Sequence, residues 1–195
     1  MSYRDARAKL VDYRRRIAEL RQEMRAVQAT AEPEEVADYE LGSASGAVRL
    51  AQLFGDKRDL ILIHNMGVSC AYCTLWADGY NGIYDHLAAR AAFVVSSPDA
   101  PDVQQRFAQG RGWRFRMVSH AGTTFAADMG YRSEEDGWLP GISVFRREGN
   151  RVLRVSDAAC DVGDEFCTLW HIFDMLPEGA AGFRPKLSYG PAHYS

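Results

Sequence analysis

Two cysteines separated by two residues, Cys70 and Cys73, are the residues of this sequence best suited to chemistry. They follow an apolar run at residues 60–63 and a polar patch at residues 64–69, and they open a segment with a helical pattern. A buried strand, a loop and a C-x-x-C pair at the start of a helix are typical of a dithiol redox site. Half of a zinc site and two inert core thiols are the alternatives that the pattern leaves open.

The expected position of Cys70 makes it the more reactive thiol. Ser69 is a favourable N-cap residue, which would place Cys70 in the first helical turn. Unpaired N–H groups and the helix dipole stabilise a thiolate there, and the thiolate is the nucleophile. Because residues three apart share a helix face, Cys73 is expected to reach the Cys70 sulfur and to resolve a mixed disulfide.

Four other side chains near the pair are candidate supporting residues. His64 ends the apolar strand, where an imidazolium would lower a thiol pKa; the alternative is a packed strand-end histidine. Asp78 could accept a proton from the second thiol, or it could be a solvated helix acid. We expect Tyr72 to shape the docking surface and Trp76 to line the core or a groove wall.

The second cysteine pair, Cys160 and Cys167, has a spacing of seven that fits no common zinc pattern. Cys167 is expected in the core and Cys160 in a loop, and a second redox relay remains open. The histidines show no metal-ligand spacing. The sequence therefore predicts neither a metal nor an organic cofactor.

Composition excludes several classes of protein. With 195 residues, 47% hydrophobic and 25% charged, the chain suits one globular domain with an appendage. A net charge of −3 lacks the basic character typical of proteins that bind nucleic acid. No apolar run is long enough to span a membrane. The first residues lack the apolar region of a secretory signal, so we expect the cytoplasm, where disulfides are usually transient and catalytic.

Three segments are predicted: a helical arm at residues 1–30, a domain at 31–177 and a tail at 178–195. Apolar side chains within residues 3–27 recur every three or four positions, as in the seam of a coiled coil. This seam could pack on its own domain or form a homodimer with a second copy.

Strands and helices alternate through the second segment, which predicts an α/β fold with a central sheet flanked by helices. The chain is expected to close with a hairpin across residues 148–150 and a helix at residues 163–176. The hairpin makes the sheet mixed rather than purely parallel.

This order of elements, with C-x-x-C opening the first core helix, resembles the thioredoxin fold. Leu139, Pro140 and Gly141 precede a strand, and the resemblance implies that Pro140 is cis, faces the cysteines and leaves backbone groups free for an extended substrate. More closely, the chain resembles a bacterial thioredoxin-like family of unknown function predicted to be dithiol–disulfide oxidoreductases. The matching segments, within residues 38–176, are Leu53-Phe54-Gly55, His64, Cys70-Ala71-Tyr72-Cys73, Trp76-Ala77-Asp78, Gly112-Trp113-Arg114-Phe115 and Pro140-Gly141-Ile142-Ser143-Val144-Phe145.

Three positions depart from the patterns of related proteins. Thioredoxins usually have Trp where this chain has Ser69. Peroxiredoxins carry P-x-x-x-[ST]-x-x-C, whereas the corresponding residues here are Ile63 and Gly67. The resemblance therefore implies an antioxidant thiol–disulfide oxidoreductase that acts on protein or small-molecule disulfides and is recycled by an external reductant. A thiol peroxidase and a non-catalytic interaction protein are the alternatives.

Overall fold

The computed structural model describes residues 1–190, and the chain divides into two compact units, residues 1–34 and residue 35 onward. The first unit contains helix α1 (Tyr3–Thr30). Ser2 and Asp5 form a capping box at its start: the Ser2 hydroxyl accepts the Asp5 N–H at 3.2 Å, and the Asp5 carboxylate accepts the Ser2 N–H at 3.2 Å. No residue of α1 is buried, so the predicted apolar seam is exposed.

The second unit is built on one large mixed sheet. The elements after α1 are, in chain order, β1 (Glu34–Val36), β2 (Glu40–Ser43), β3 (Gly46–Arg49), a 3-10 helix (Leu50–Phe54), β4 (Asp59–His64), α2 (Ala71–Gly82), α3 (Tyr84–Arg90), β5 (Ala92–Ser97), α4 (Pro101–Arg111), β6 (Arg116–Ser119), α5 (Phe125–Asp128), β7 (Arg132–Ser133), β8 (Gly137–Trp138), β9 (Gly141–Glu148), β10 (Arg151–Ala159) and α6 (Thr168–Phe173). The sheet order is β1-β10-β9-β4-β5-β6-β2-β3, while β7 and β8 pair separately. Strands β4, β5 and β6 are parallel, and β9 is antiparallel to β4 and β10. The predicted mixed α/β architecture is thus confirmed.

Alternation along β4 assigns its side chains to two cores. Leu60 and Leu62 belong to one buried cluster, whereas Ile63 belongs to a second one. The first cluster includes residues of the 3-10 helix and α5, and the second includes residues of α2, α3, α4 and α6. β4 lies in the middle of the sheet. The loop at its carboxyl end therefore starts from a strand that has a hydrogen-bonded neighbour on each side.

The helical segment that follows the cysteines consists of two helices, α2 and α3, which meet at Ile83. The final helix spans only Thr168–Phe173 because residues 161–167 fold around the carboxylate of Asp164 instead. Near the start of the second predicted segment, β1 pairs with β10 at the edge of the sheet.

None of the helices within residues 1–190 combines the length and apolar character needed to cross a membrane. The predicted tail, residues 178–195, ends in five residues that lie outside the described part of the chain.

Candidate active site

Cys70 lies at the very start of α2, one position earlier relative to the helix than predicted. It is itself the N-cap residue, with extended backbone angles of φ −84° and ψ 105°, and α2 begins at Ala71. Its sulfur accepts the backbone N–H of Cys73 at 3.1 Å, which satisfies one of the unpaired donors of the first turn. The prediction that Ser69 caps the helix is therefore wrong, because the cysteine sulfur fills the role of the capping oxygen.

The loop before Cys70 is fixed by side chains from two strand ends. The side-chain oxygen of Asn65 accepts the N–H of Gly67 at 2.8 Å, and the carboxylate of Asp99 accepts the N–H of Val68 at 3.0 Å. Gly67 has φ +113°, a conformation that side-chain-bearing residues rarely adopt. Sequence reasoning missed Asp99, although its place just after a buried strand parallel to β4 was a usable signal.

The two thiols of the pair are strongly unequal. The hydrogen bond from the Cys73 thiol, with help from backbone N–H groups, lowers the pKa of Cys70 to about 6. The same hydrogen bond and burial raise the pKa of Cys73, whose sulfur also accepts the N–H of Met66 at 3.4 Å. Cys70 is partly exposed and Cys73 is buried, and both are free thiols. At neutral pH the pair therefore consists of an accessible thiolate and a protonated partner.

His64 does not assist the thiols. Its imidazole stacks on Tyr131 with ring centres 3.9 Å apart, and its Nε2 hydrogen-bonds the Ser143 hydroxyl at 2.9 Å. Tyr131 belongs to the first buried cluster, whereas Ile63 and residues of α2 belong to the second. The imidazole therefore lies on the opposite face of the sheet from the cysteines. Burial lowers the pKa of His64 well below its ordinary value, which leaves it neutral. Of the two alternatives for His64, the structure contains the packed strand-end histidine, and the imidazolium that would assist a thiol is not present.

Asp78 is held by other residues than the second thiol. Its carboxylate accepts two hydrogen bonds from the guanidinium of Arg111, one of them from Nε at 2.9 Å, and one from the indole of Trp113 at 2.8 Å. This ion pair joins α2 to the end of α4 and raises the pKa of Arg111. Asp78 is thus neither a proton acceptor for Cys73 nor a simply solvated acid.

Pro140 lies beside the pair, but not in the predicted conformation. No peptide bond within residues 1–190 is cis, so the expected cis bond is wrong. The backbone around Pro140 is already paired: the Leu139 N–H donates to the Tyr131 carbonyl at 2.9 Å, and the Pro140 carbonyl accepts the Cys160 N–H at 3.1 Å. Both bonds hold the segment against the end of β10 and against the loop before β7, so these two backbone groups are not left free as the resemblance implied.

A cavity of about 220 Å³ opens next to the buried thiol. Its walls include Cys73, Tyr72, Trp76, Pro140 and Cys160. Tyr72, which we expected at a docking surface, and Trp76, which we expected in the core or a groove wall, both line this cavity. The sequence did not predict that Cys160, which follows β10, lines it as well.

The segment that carries Cys160 is organised around Asp164. The Asp164 carboxylate accepts the Trp76 indole N–H at 3.0 Å and the backbone N–H groups of Phe166 and Cys167 at 2.9 and 3.0 Å. Burial and the nearby Asp164 carboxylate raise the pKa of Cys160 to about 12, and burial raises the pKa of Cys167. Both thiols stay protonated at neutral pH, in contrast to Cys70.

The part of the chain that the structure describes contains no group of three or more His, Cys, Asp or Glu side chains arranged to hold a metal ion.

Comparison with solved structures finds peroxiredoxins. Peroxidoxin BcpB from Mycobacterium tuberculosis is 26% identical, with a TM-score of 0.54 over 65% of this chain and 84% of that one. A cysteine-to-serine mutant of peroxiredoxin Q from Xanthomonas campestris is 17% identical, with a TM-score of 0.53 over 63% of this chain and 80% of that one. Reduced Prx3 from Vibrio vulnificus, in complex with hydrogen peroxide, is 14% identical, with a TM-score of 0.53 over 69% and 90% of the two chains. These similarities establish the peroxiredoxin-like and thioredoxin-like fold.

No curated protein matches the chain at a significant level. A family model described as "Bacterial protein of unknown function (DUF899)" matches residues 3–191, which is nearly the whole sequence. The match extends the resemblance of residues 38–176 to both the helical arm and the C-terminal region. The chain therefore belongs to the DUF899 family of bacterial proteins.

Proposed function

We propose that this protein is a thiol–disulfide oxidoreductase in which Cys70 is the nucleophile and Cys73 the resolving thiol. The observation that carries the proposal is the geometry of the pair: the Cys70 sulfur accepts the Cys73 N–H at the start of α2, and its pKa is lowered to about 6. A thiol of low pKa that remains accessible is typical of reactive cysteines, whereas structural buried cysteines are inert.

The reaction divides into two exchanges. The Cys70 thiolate attacks one sulfur of the substrate disulfide, the other sulfur leaves as a thiolate, and a mixed disulfide forms. Cys70 then carries no charge, so the main cause that raised the Cys73 pKa disappears. Cys73 passes its proton to the departing thiolate and attacks the Cys70 sulfur, which closes the Cys70–Cys73 disulfide and releases the second substrate thiol.

Over both exchanges the substrate gains two electrons and the pair loses two, so a reductant from outside must recycle the protein. Tyr72, Trp76 and Pro140 line the cavity beside Cys73, and we propose that they shape the groove in which the substrate lies. A cytoplasmic setting belongs to the proposal, because cellular reductants keep dithiols reduced there.

A redox titration tests this function. The protein is equilibrated in glutathione buffers and the Cys70–Cys73 disulfide is quantified by mass spectrometry. We expect a reversible two-electron transition between about −120 and −270 mV, the range of known dithiol oxidoreductases. Cys70→Ser and Cys73→Ser should abolish it, whereas the control Cys160→Ser should leave it unchanged. Absence of the disulfide, or its survival in either single variant, contradicts the mechanism.

Thiol peroxidase activity is a second candidate, and the peroxiredoxin neighbours favour it. Cys70 would attack a peroxide oxygen, release water or alcohol and become a sulfenic acid, which Cys73 would condense to the disulfide. Gly67 stands where peroxiredoxins carry a hydroxyl, so we expect this reaction to be slow. Dimedone trapping of the sulfenic acid in Cys73→Ser, timed after mixing with peroxide, measures its rate directly. A peroxide reaction faster than disulfide exchange would favour the peroxidase.

A further inference from the structure

The cavity next to Cys73 is built for an apolar group. Tyr72 and Trp76 lie in its wall with ring centres 6.4 Å apart and ring planes tilted by 48°. Further apolar lining comes from Ile63, Met66, Pro140 and Val162. Trp76 is fixed in place because its indole N–H donates to Asp164. Val162 is 55% exposed, so the cavity reaches the surface at this residue. A cavity of about 220 Å³ with this lining can hold one ring or one branched alkyl group.

The charge around the cavity is acidic. Among the described residues that line it, Asp161 is the one with a charged side chain. The Asp164 carboxylate lies next to the lining residue Trp76 and accepts its indole N–H. No lining residue in that set is a lysine or an arginine, so an anionic substrate would find no counter-charge there and would be repelled. A neutral group is therefore favoured over a carboxylate-bearing one.

The cavity borders the resolving cysteine of the pair. Cys73 forms part of its wall, and the backbone N–H of Cys73 donates to the Cys70 sulfur at 3.1 Å. The substituent on the sulfur that Cys70 attacks must lie close to the cysteine pair, and this cavity is the space beside Cys73 that could receive it. Filling the cavity would hold that sulfur beside Cys73, which must displace it in the second exchange.

We propose that this cavity is a specificity pocket that binds an uncharged aryl or branched alkyl substituent, and that the protein consequently selects neutral, apolar disulfides. The inference rests on the thiol–disulfide function proposed above and names its substrate class. One methylene in an apolar pocket changes the rate by about tenfold to two-hundredfold, so a substrate that lacks the whole group should be disfavoured by about tenfold or more.

The test compares three disulfides with pre-reduced protein in a stopped-flow instrument. Dipyridyl disulfide is neutral and aromatic, dithiobis(nitrobenzoate) is aromatic but anionic, and hydroxyethyl disulfide is neutral without a ring. Each rate constant is divided by that of free glutathione with the same disulfide, which removes intrinsic reactivity. We expect the normalised value for dipyridyl disulfide to exceed each of the others by about tenfold or more.

A variant that fills the pocket with a larger side chain tests the inference directly. Val162→Trp should lower the normalised rate with dipyridyl disulfide about tenfold relative to hydroxyethyl disulfide. Ile172→Trp is the matched control, because Ile172 is also 55% exposed but lies on α6 outside the cavity lining. Val162→Phe, a smaller change, should give the same ordering with a weaker effect, which guards against misfolding of the tryptophan variant.

The possible outcomes distinguish failure of the pocket inference from failure of the proposed thiol–disulfide function. If Cys70→Ser abolishes the fast phase but the wild type shows no preference, or Val162→Trp and Val162→Phe match Ile172→Trp, the pocket inference is overturned while the redox function stands. If Cys70→Ser reacts as fast as the wild type with every disulfide, the proposed function itself fails. A stronger preference for the anionic disulfide also overturns the inference.

Discussion

Replacing the Cys73 thiol tests what makes Cys70 reactive. The hydrogen bond from Cys73 is the largest cause of the low Cys70 pKa of about 6, so about nine-tenths of Cys70 is thiolate at pH 7. A hydrogen bond to a charged group contributes about 1.5–3 kcal/mol, and one pKa unit corresponds to about 1.4 kcal/mol. Cys73→Ala should therefore raise the Cys70 pKa to about 7–8, and solvent at the partly exposed sulfur favours the lower end of that range.

The assay is the rate of Cys70 alkylation by iodoacetamide as a function of pH, followed by mass spectrometry of the Cys70 peptide. At pH 7 the rate in Cys73→Ala should fall about twofold to tenfold, while the plateau at high pH should be unchanged. Cys73→Ser keeps a donor at the same position and should stay close to the wild type. Cys160→Ala, a change in the same cavity wall, serves as the control for altered packing.

A Cys73→Ala variant whose Cys70 still titrates near 6 would refute this reasoning. The backbone N–H groups and the start of α2 would then be sufficient to stabilise the thiolate, and Cys73 would act only in the second exchange.

Three further predictions concern stability and assembly. His64 and His120 are buried bases whose pKa values lie below the ordinary 6.5, that of His120 at about 4, so the folded protein binds fewer protons than the unfolded chain. Urea unfolding should therefore show stability falling from pH 6.5 toward pH 4, by about 1.4 kcal/mol per pH unit for each histidine, and a flat profile would contradict this. Asp78→Asn should lower the free energy of unfolding by about 1–2 kcal/mol without slowing release of the second substrate thiol; slower release would restore a proton-transfer role for this residue. We also propose that α1 forms a homodimer: sedimentation should show a dimer that Ile17→Asp dissociates and Val11→Asp, off the seam, does not, whereas a monomeric wild type would exclude it.

Much of the fold could be predicted because its signals are local. The apolar run at residues 60–63 became the central strand β4, and the alternation of strands and helices became the mixed sheet. The heptad spacing of residues 3–27 became α1. The start of the last helix was predicted too early, because the Asp164 carboxylate accepts three backbone N–H groups and one indole N–H, an arrangement that the local pattern of residues does not reveal.

The candidate site divides in the same way. By itself, the sequence determined which two thiols form the pair and that both stand at the start of a helix, since C-x-x-C spacing and helix position are short-range properties. Only the tertiary structure decided which side chains accompany them. The side chain of His64 points away from the thiols and stacks on Tyr131. Asp78 pairs with Arg111, which is distant in the sequence. The hairpin between Pro140 and Cys160 completes the cavity beside Cys73. Each of these contacts joins residues far apart in the chain, so no local pattern could specify it.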